Sequence, residues 1–162
     1  MEERSKPVSA SRVETTHLVR PADLNHSDRL FGGVLMSWID EVAGLVARRH
    51  AQMTVTTAAV DNLSFLHPAY VKDTVVLTGK ATYVGNTSVE VKVDTYVEKI
   101  TGERTLINRA YITMVGLDEN DKPARLPRLI PETEEERADW EKAELRRSIR
   151  KQQKAEGFRF YD

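Results

Sequence analysis

The apolar period of this chain changes from about 3.6 residues to two between Gly33 and Thr54. Val34, Leu35, Trp38, Ile39, Val42, Leu45 and Val46 recur at intervals of three and four, which sets them on one face of a helix running through VLMSWIDEVAGLVARRH. Arg48, Arg49 and His50 crowd its last turn, where positive charge suits the helix dipole. From Thr54 to Leu117 the pattern is alternation or short buried runs, which predicts strands at 54–66, 75–85, 87–99 and 104–118. In the third of these, Val89, Val91, Val93 and Val97 alternate with Glu90, Lys92, Asp94 and Glu98, so one wet face is expected. Gly85-Asn86 and Thr101-Gly102-Glu103 read as hairpin turns, which makes these strands antiparallel neighbours. A further strand is predicted over VETTHLVR, 13–20, stopped by Pro21. The order is therefore strand, one long helix, then four antiparallel strands, an α+β chain in which a five-stranded sheet buries the helix stripe.

The two ends read differently. Residues 1–12 lack apolar periodicity and carry Ser5, Pro7, Ser9 and Ser11, which predicts a flexible arm. Residues 132–156 hold eight acids and seven bases, with the acids leading, as suits a charged helix. Trp140 and Leu145 are its candidate docking residues. Its basic end, Arg146, Arg147, Arg150 and Lys151, reads as a solvated face or as a grip for phosphate. The expected organisation is arm 1–12, one domain over 13–131 and a charged helical extension over 132–162.

Several chemistries are excluded. The chain has no cysteine, which removes disulfides, thiolate metal sites and cysteine nucleophiles. A net charge of -1 gives no bulk attraction to nucleic acid or to anionic membranes, and no apolar run or leader suggests membrane insertion or export, so a cytoplasmic protein is expected. The nucleophile elbow, phosphate loop, dinucleotide fingerprint and HExxH zinc motif are all missing. His17, His26, His50 and His67 form no close pair, so no metal site is expected.

What remains is Asp40, an acid in the middle of the most apolar helix. Its neighbours at three, four and seven are Met36, Ser37, Ala43, Gly44 and Ala47, a small and weakly polar face. A carboxylate there either meets a ligand in a cavity or is satisfied by a hydrogen bond or ion pair. Gly32 and Gly33 precede the helix and either let a carbonyl oxygen approach the free N–H groups of its first turn or simply serve the turn. Asn25 offers an amide that orients water or a carbonyl, or a turn residue.

Together, PADLNHSDRLFGGVLMSWIDEVAGLVARR (21–49), Phe65-Leu66-His67-Pro68 and Gly85-Asn86-Thr87-Ser88-Val89 closely resemble the hotdog-fold acyl-CoA thioesterases, in the branch of bacterial acyl-CoA hydrolases and the cytosolic long-chain acyl-CoA hydrolase of brain. The resemblance runs to about Pro127, and its core is Asn25, Gly32-Gly33 and Asp40. It implies a hotdog fold, hydrolysis of acyl-CoA to CoA and a carboxylic acid, and Asp40 as general base or nucleophile. It also implies that Asn25 comes from the partner subunit, that the N–H groups of Gly32 and Gly33 form the oxyanion site, and that Phe65, Gly85, Asn86, Thr87 and Ser88 contact substrate and CoA. No separate cofactor is implied, since CoA belongs to the substrate; a homo-oligomer is, with a dimer as minimum and a hexamer built as a trimer of dimers. Arg104, Arg109 or the tail bases are candidates for the CoA phosphates. The rivals are a hotdog hydratase, an acyl-CoA-binding regulator without hydrolysis, and a proofreading thioesterase for small or aryl acyl groups. Leu45 stands five residues after Asp40, where CoA-ester hydratases carry histidine.

Overall fold

The computed structural model describes residues 4–157. Its elements are β1 (Ser5–Pro7), β2 (Val13–Leu18), α1 (Gly32–Ala51), β3 (Thr54–Phe65), β4 (Thr74–Val84), β5 (Ser88–Glu98), β6 (Arg104–Leu117), β7 (Arg128–Ile130) and α2 (Glu134–Ala155). Five strands form one antiparallel sheet in the order β2-β4-β5-β6-β3. The long helix, the antiparallel sheet and the charged C-terminal helix are those expected from the sequence, and together they make the hotdog arrangement.

The helix stripe forms because Leu35, Ile39, Val42, Ala43, Val46 and Ala47 are all buried against the sheet, where Leu77, Val91, Val93, Ala110 and Ile112 meet them. Leu45, expected in that stripe, is 38% exposed; the small Ala43 and Ala47 take the close contact instead. The tightest approach is at Gly79. A Cβ there would lie 2.6 Å from Val42 Cγ1 and 2.9 Å from Val46 Cγ2. Both neighbours are β-branched and stiff, so Gly79→Ala is expected to cost about 1–3 kcal/mol, read as a fall of several degrees in Tm.

Two expectations are corrected. The arm is ordered over residues 4–12, while its residues 1–3 lie outside the described residues, as do 158–162 of the C-terminal extension. β1 pairs in parallel with β7, Val8 is buried, and Lys6 Nζ donates to the carbonyl of Arg49 at 2.6 Å, so a short polar stretch is held by partners far along the chain. The wet face of β5 is in fact covered. Glu90, Lys92 and Asp94 are all under 9% exposed, because α2 brings charges of opposite sign to Glu90 and Lys92 while Arg109 of β6 pairs with Asp94. Asp139 meets Lys80 at 2.8 Å and Lys92 at 3.1 Å, Arg146 meets Glu90 at 2.6 Å, and Arg150 meets Asp61 at 2.6 Å. Trp140 docks as expected, against the Tyr83 ring, but Leu145 is 62% exposed and does not.

His50 fixes the end of α1. It is fully buried, and its Nε2–H donates to the carbonyl of Pro127 at 2.8 Å, leaving Nδ1 without a partner. Burial holds its pKa below the ordinary 6.5 against the pull of the Pro127 hydrogen bond, and the charge of Lys6 lowers it further. The folded state therefore keeps His50 neutral. The unfolded chain takes up this proton first as pH falls below about 6.5, so stability is full above that pH and declines beneath it. Melting temperatures between pH 7.5 and 5.5 should fall for the wild type, and the decline should be shallower in His50→Gln.

Candidate active site

Asp40 sits midway along α1 with its carboxylate exposed, and Thr57 Oγ1 donates to its Oδ1 at 2.6 Å. Thr57 is the cross-strand partner of Met114, and its hydroxyl lies 3.4 Å from Met114 Sδ, so it faces the helix. The register of β3 on β6 shifts between Thr57 and Ala59, a bulge that breaks the edge strand beside the carboxylate. One oxygen of Asp40 is thus oriented by a hydroxyl while the other stays open.

The start of α1 is a second polar feature. No side chain caps it, and the first i→i−4 bond runs from Leu35 N to the carbonyl of Phe31. The N–H groups of Gly32, Gly33 and Val34 therefore point out of the helix end, where the dipole is positive. A Cβ on Gly33 would lie 2.7 Å from the Phe31 ring, and one on Gly32 would lie 3.5 Å from the Phe65 ring. Glycine at these positions keeps the helix end open between two aromatic rings.

Asn25 serves the turn that leads there. Its Oδ1 accepts from Ser27 N at 2.8 Å and Arg29 N at 3.2 Å, and its backbone N–H donates to the carbonyl of Arg29. Asp28 adopts the left-handed φ of 57° that closes the loop. Oδ1 is thus engaged by the turn, and the Nδ2 donors are the part of the amide left for another partner. Asn25, Gly32, Leu35 and Phe65 line one concavity of about 400 Å³.

Asp40 does not line that concavity. It stands eight residues beyond Gly32, roughly 12 Å along the helix axis. One protomer therefore brings together Asn25, the helix start and Phe65, and separately Asp40 and Thr57. Between and around them lies exposed apolar surface, with Phe31, Met36, Val60, Phe65 and Leu66 each 44–53% exposed. β3 is an unpaired edge of the sheet.

Gly85, Asn86, Thr87 and Ser88 form the β4–β5 turn. Gly85 N–H donates to the carbonyl of Ser88, and Gly116 N–H donates to that of Thr87 at 2.9 Å. Gly85 and Asn86 border a different cleft, of about 550 Å³, beneath α2. Arg104 is engaged with Glu14 and Glu98, and Arg109 with Asp94 through two hydrogen bonds. Arg146 and Arg150 face inward to Glu90 and Asp61, so these four are held by carboxylates. Among the described residues no group of three His, Asp or Glu gathers to hold a metal, and no helix is long and apolar enough to cross a membrane.

Thr57 escaped the sequence reading. It stands in TVTTAAV among residues of the same kind, and only the strand register distinguishes it from Thr54 and Thr56.

Residues 28–103 match the family model of the thioesterase superfamily. The Bacillus subtilis protein YkhA, an uncharacterized acyl-CoA thioester hydrolase, is 46% identical over 127 residues, 78% of this chain and 74% of its own length. The rat cytosolic acyl coenzyme A thioester hydrolase is 36% identical over 86% of this chain, which spans only 37% of that protein. An apo-hexameric acyl-CoA thioesterase superposes with a TM-score of 0.90 at 42% identity, over 94% of this chain and 98% of that one. A Staphylococcus aureus acyl-CoA hydrolase, solved with coenzyme A, superposes with a TM-score of 0.91 at 32% identity, over 96% and 94%. Alanine variants of that enzyme at one asparagine, one aspartate and one threonine have been solved, and the intervals between the three, 15 and 17 residues, equal those between Asn25, Asp40 and Thr57.

Proposed function

The chain belongs to the thioesterase superfamily, and we propose that it hydrolyses acyl-CoA thioesters to free CoA and a carboxylic acid, with Asp40 as the reactive carboxylate. The observation that carries this reading is an exposed carboxylate on the central helix, oriented by Thr57 at 2.6 Å, on the same helix as an uncapped N-terminus.

The thioester carbonyl is polarised by the N–H groups at Gly32 and Gly33, where the oxyanion gains most as the carbon becomes tetrahedral. Asp40 takes a proton from the attacking water, or attacks the carbonyl itself to give an anhydride that water then opens. In the first route water's oxygen enters the acid; in the second, water that opens the anhydride at Asp40 leaves its oxygen there and an Asp40 oxygen in the acid; in both, CoA leaves as a thiolate that needs no strong acid to assist it. Single turnover in oxygen-18 water separates the routes, since label enters the Asp40 carboxylate only in the second. Neither route needs a cofactor.

Two copies complete the site. Pairing of the β3 edges would bury Val60, Phe65 and Leu66 and bring Asn25 of one protomer to Asp40 of the other, so its amide holds water or carbonyl in line. The hexamers among its structural relatives suggest three such dimers, and the rat relative suggests the cytosol as the place of action.

The reading is tested by following free thiol released from acyl-CoA of several chain lengths. Steady turnover supports it, and stoichiometric binding of acyl-CoA without thiol release favours the regulator instead. Thr57→Val should lower kcat about tenfold, since one hydrogen bond to a charged group is worth about 1.5–3 kcal/mol, while Thr57→Ser keeps most of the rate.

A further inference from the structure

Strict alternation would set Thr57, Asp61 and Phe65, four residues apart along β3, on one face of the sheet. They do not share one. Thr57 donates to Asp40 of α1, Asp61 accepts from Arg150 of α2 at 2.6 Å on the opposite face, and the Phe65 ring stands against Gly32 at the start of α1. Two bulges account for this. The first lies between Thr57 and Ala59. In the second, Asp61 opposes Tyr111 and Ser64 opposes Arg109, so three steps on β3 match two on β6. Asn62, inside it, takes a left-handed φ of 51°, which asparagine tolerates. One extra residue inverts the alternation that follows, so this second bulge is what turns Phe65 back towards the helix.

The second bulge is held from both sides. Outside, Arg150 grips Asp61 ahead of the extra residue. Inside, Asn108 Nδ2 donates to the carbonyl of Ser64 at 2.9 Å just after it, and the ladder resumes where Leu66 N–H donates to the carbonyl of Ile107 at 2.8 Å. Asn108 is fully buried, on the strand face it shares with the core residues Ala110 and Ile112, and its Oδ1 finds no partner among the described residues. A leucine has the same branching and would leave no buried acceptor unsatisfied. The amide is therefore kept at a cost to stability, and the one bond it makes is the clasp on the bulge.

We infer that Asn108 is a positioning residue for acyl-chain selection: by clasping the bulge it sets the Phe65 ring as a wall of the concavity at the helix start, where the acyl chain lies. The inference rests on the thioesterase reading for the identity of the substrate. Leu35, Phe65, Leu66 and Ile107 supply apolar lining to that concavity, beside the N–H groups assigned to the thioester carbonyl. An acetyl group ends before this wall, whereas an octanoyl chain lies along it and buries methylenes there. Without the clasp the extra residue is free to migrate along β3, and each one-residue slip carries Phe65 to the other face.

The test measures kcat and KM for acetyl-CoA and octanoyl-CoA in the wild type, Asn108→Leu, Phe65→Ala and the double variant. Asn108→Leu should raise KM for octanoyl-CoA about tenfold, the equivalent of about two methylenes left unburied, with kcat within about twofold and both constants for acetyl-CoA near wild type. Because Asn108 acts through Phe65, the double variant should be no worse than Phe65→Ala alone. Additive losses in the double variant, or equal losses for the two thioesters, overturn the inference. Hydrogen exchange gives a readout that needs no turnover: the segment 61–66 should exchange faster in Asn108→Leu while α1 and β5 keep their protection, and unchanged exchange in 61–66 also overturns it. Asn108→Ala, which adds no volume, is measured in parallel, and loss of the cooperative transition in both variants would make Asn108 a residue of the fold and not of selection. If the wild type hydrolyses neither thioester, the thioesterase reading fails, and hydrogen exchange still decides whether Asn108 holds the bulge.

Discussion

Asp40→Asn should abolish measurable acyl-CoA hydrolysis, lowering kcat by about 10²–10⁴ while leaving the thermal transition within a degree or two of wild type. The expectation has two parts because the side chain does. Its carboxylate is exposed and carries one protein hydrogen bond, from Thr57, so little of the fold depends on its charge. Asparagine keeps an acceptor for that hydroxyl at nearly the same volume. What it loses is the ability to take a proton from water or to attack a carbonyl. A variant that melts like the wild type and turns over like it would remove Asp40 from the chemistry. A variant that has also lost its cooperative transition would show instead that the carboxylate is structural.

Asp139→Ala should be the most damaging single change outside the core, at about 3–5 kcal/mol. Asp139 accepts from Lys80 at 2.8 Å and from Lys92 at 3.1 and 3.3 Å, with all three side chains close to 10% exposed. Burial alone raises its pKa, but the hydrogen bonds and charges of the two lysines outweigh that and hold it below the ordinary carboxylate value. Its contribution is therefore present above about pH 4 and is lost as the pH falls through the lowered folded value. Removing it leaves two ammonium groups facing each other under α2 with only Glu135 near Lys80. The helix should then detach, read as proteolysis within 134–155 and a lower Tm. Combining Asp139→Leu with Lys80→Met and Lys92→Met should recover most of the loss, because the buried charges go together. A cost below about 1 kcal/mol for Asp139→Ala would mean that α2 is held by its apolar contacts.

The contrast between these residues explains what could be read in advance. The helix and the four strands after it were legible because their signal is local: a period of 3.6 on Leu35, Ile39, Val42 and Val46, then a period of two punctuated at Gly85 and Gly102. Glu90, Lys92 and Asp94 misled for the same reason. Their alternation with valines is the pattern of a solvated face, yet Asp139 and Arg146, some fifty residues later, pair with Lys92 and Glu90, and Arg109 of the neighbouring strand pairs with Asp94. The arm followed suit, since its order depends on Arg49 and β7.

The candidate site divides along the same line. Asp40 and the paired glycines stood out because an acid and two residues without side chains are anomalies in an apolar helix. Thr57 did not, because a threonine in a strand is unremarkable until its register is known. Asn25 fills the turn reading, holding its loop through Oδ1, and its Nδ2 is the group left for the proposed role in catalysis. For that reason Asn25→Asp is the cleaner probe of its chemistry, since it keeps the loop acceptor and removes the donor.

The claim that joins these parts is that the site is shared between copies of the chain, and mixing inactive protomers measures it directly. Asn25→Ala and Asp40→Ala proteins, each inactive alone, are unfolded together and refolded at equal concentration. Random pairing gives mixed dimers in half the population, each with one intact site of two, so acyl-CoA hydrolysis should recover to about a quarter of the wild-type rate. No recovery, with mixed dimers demonstrated by mass spectrometry, would contradict a site built from two subunits.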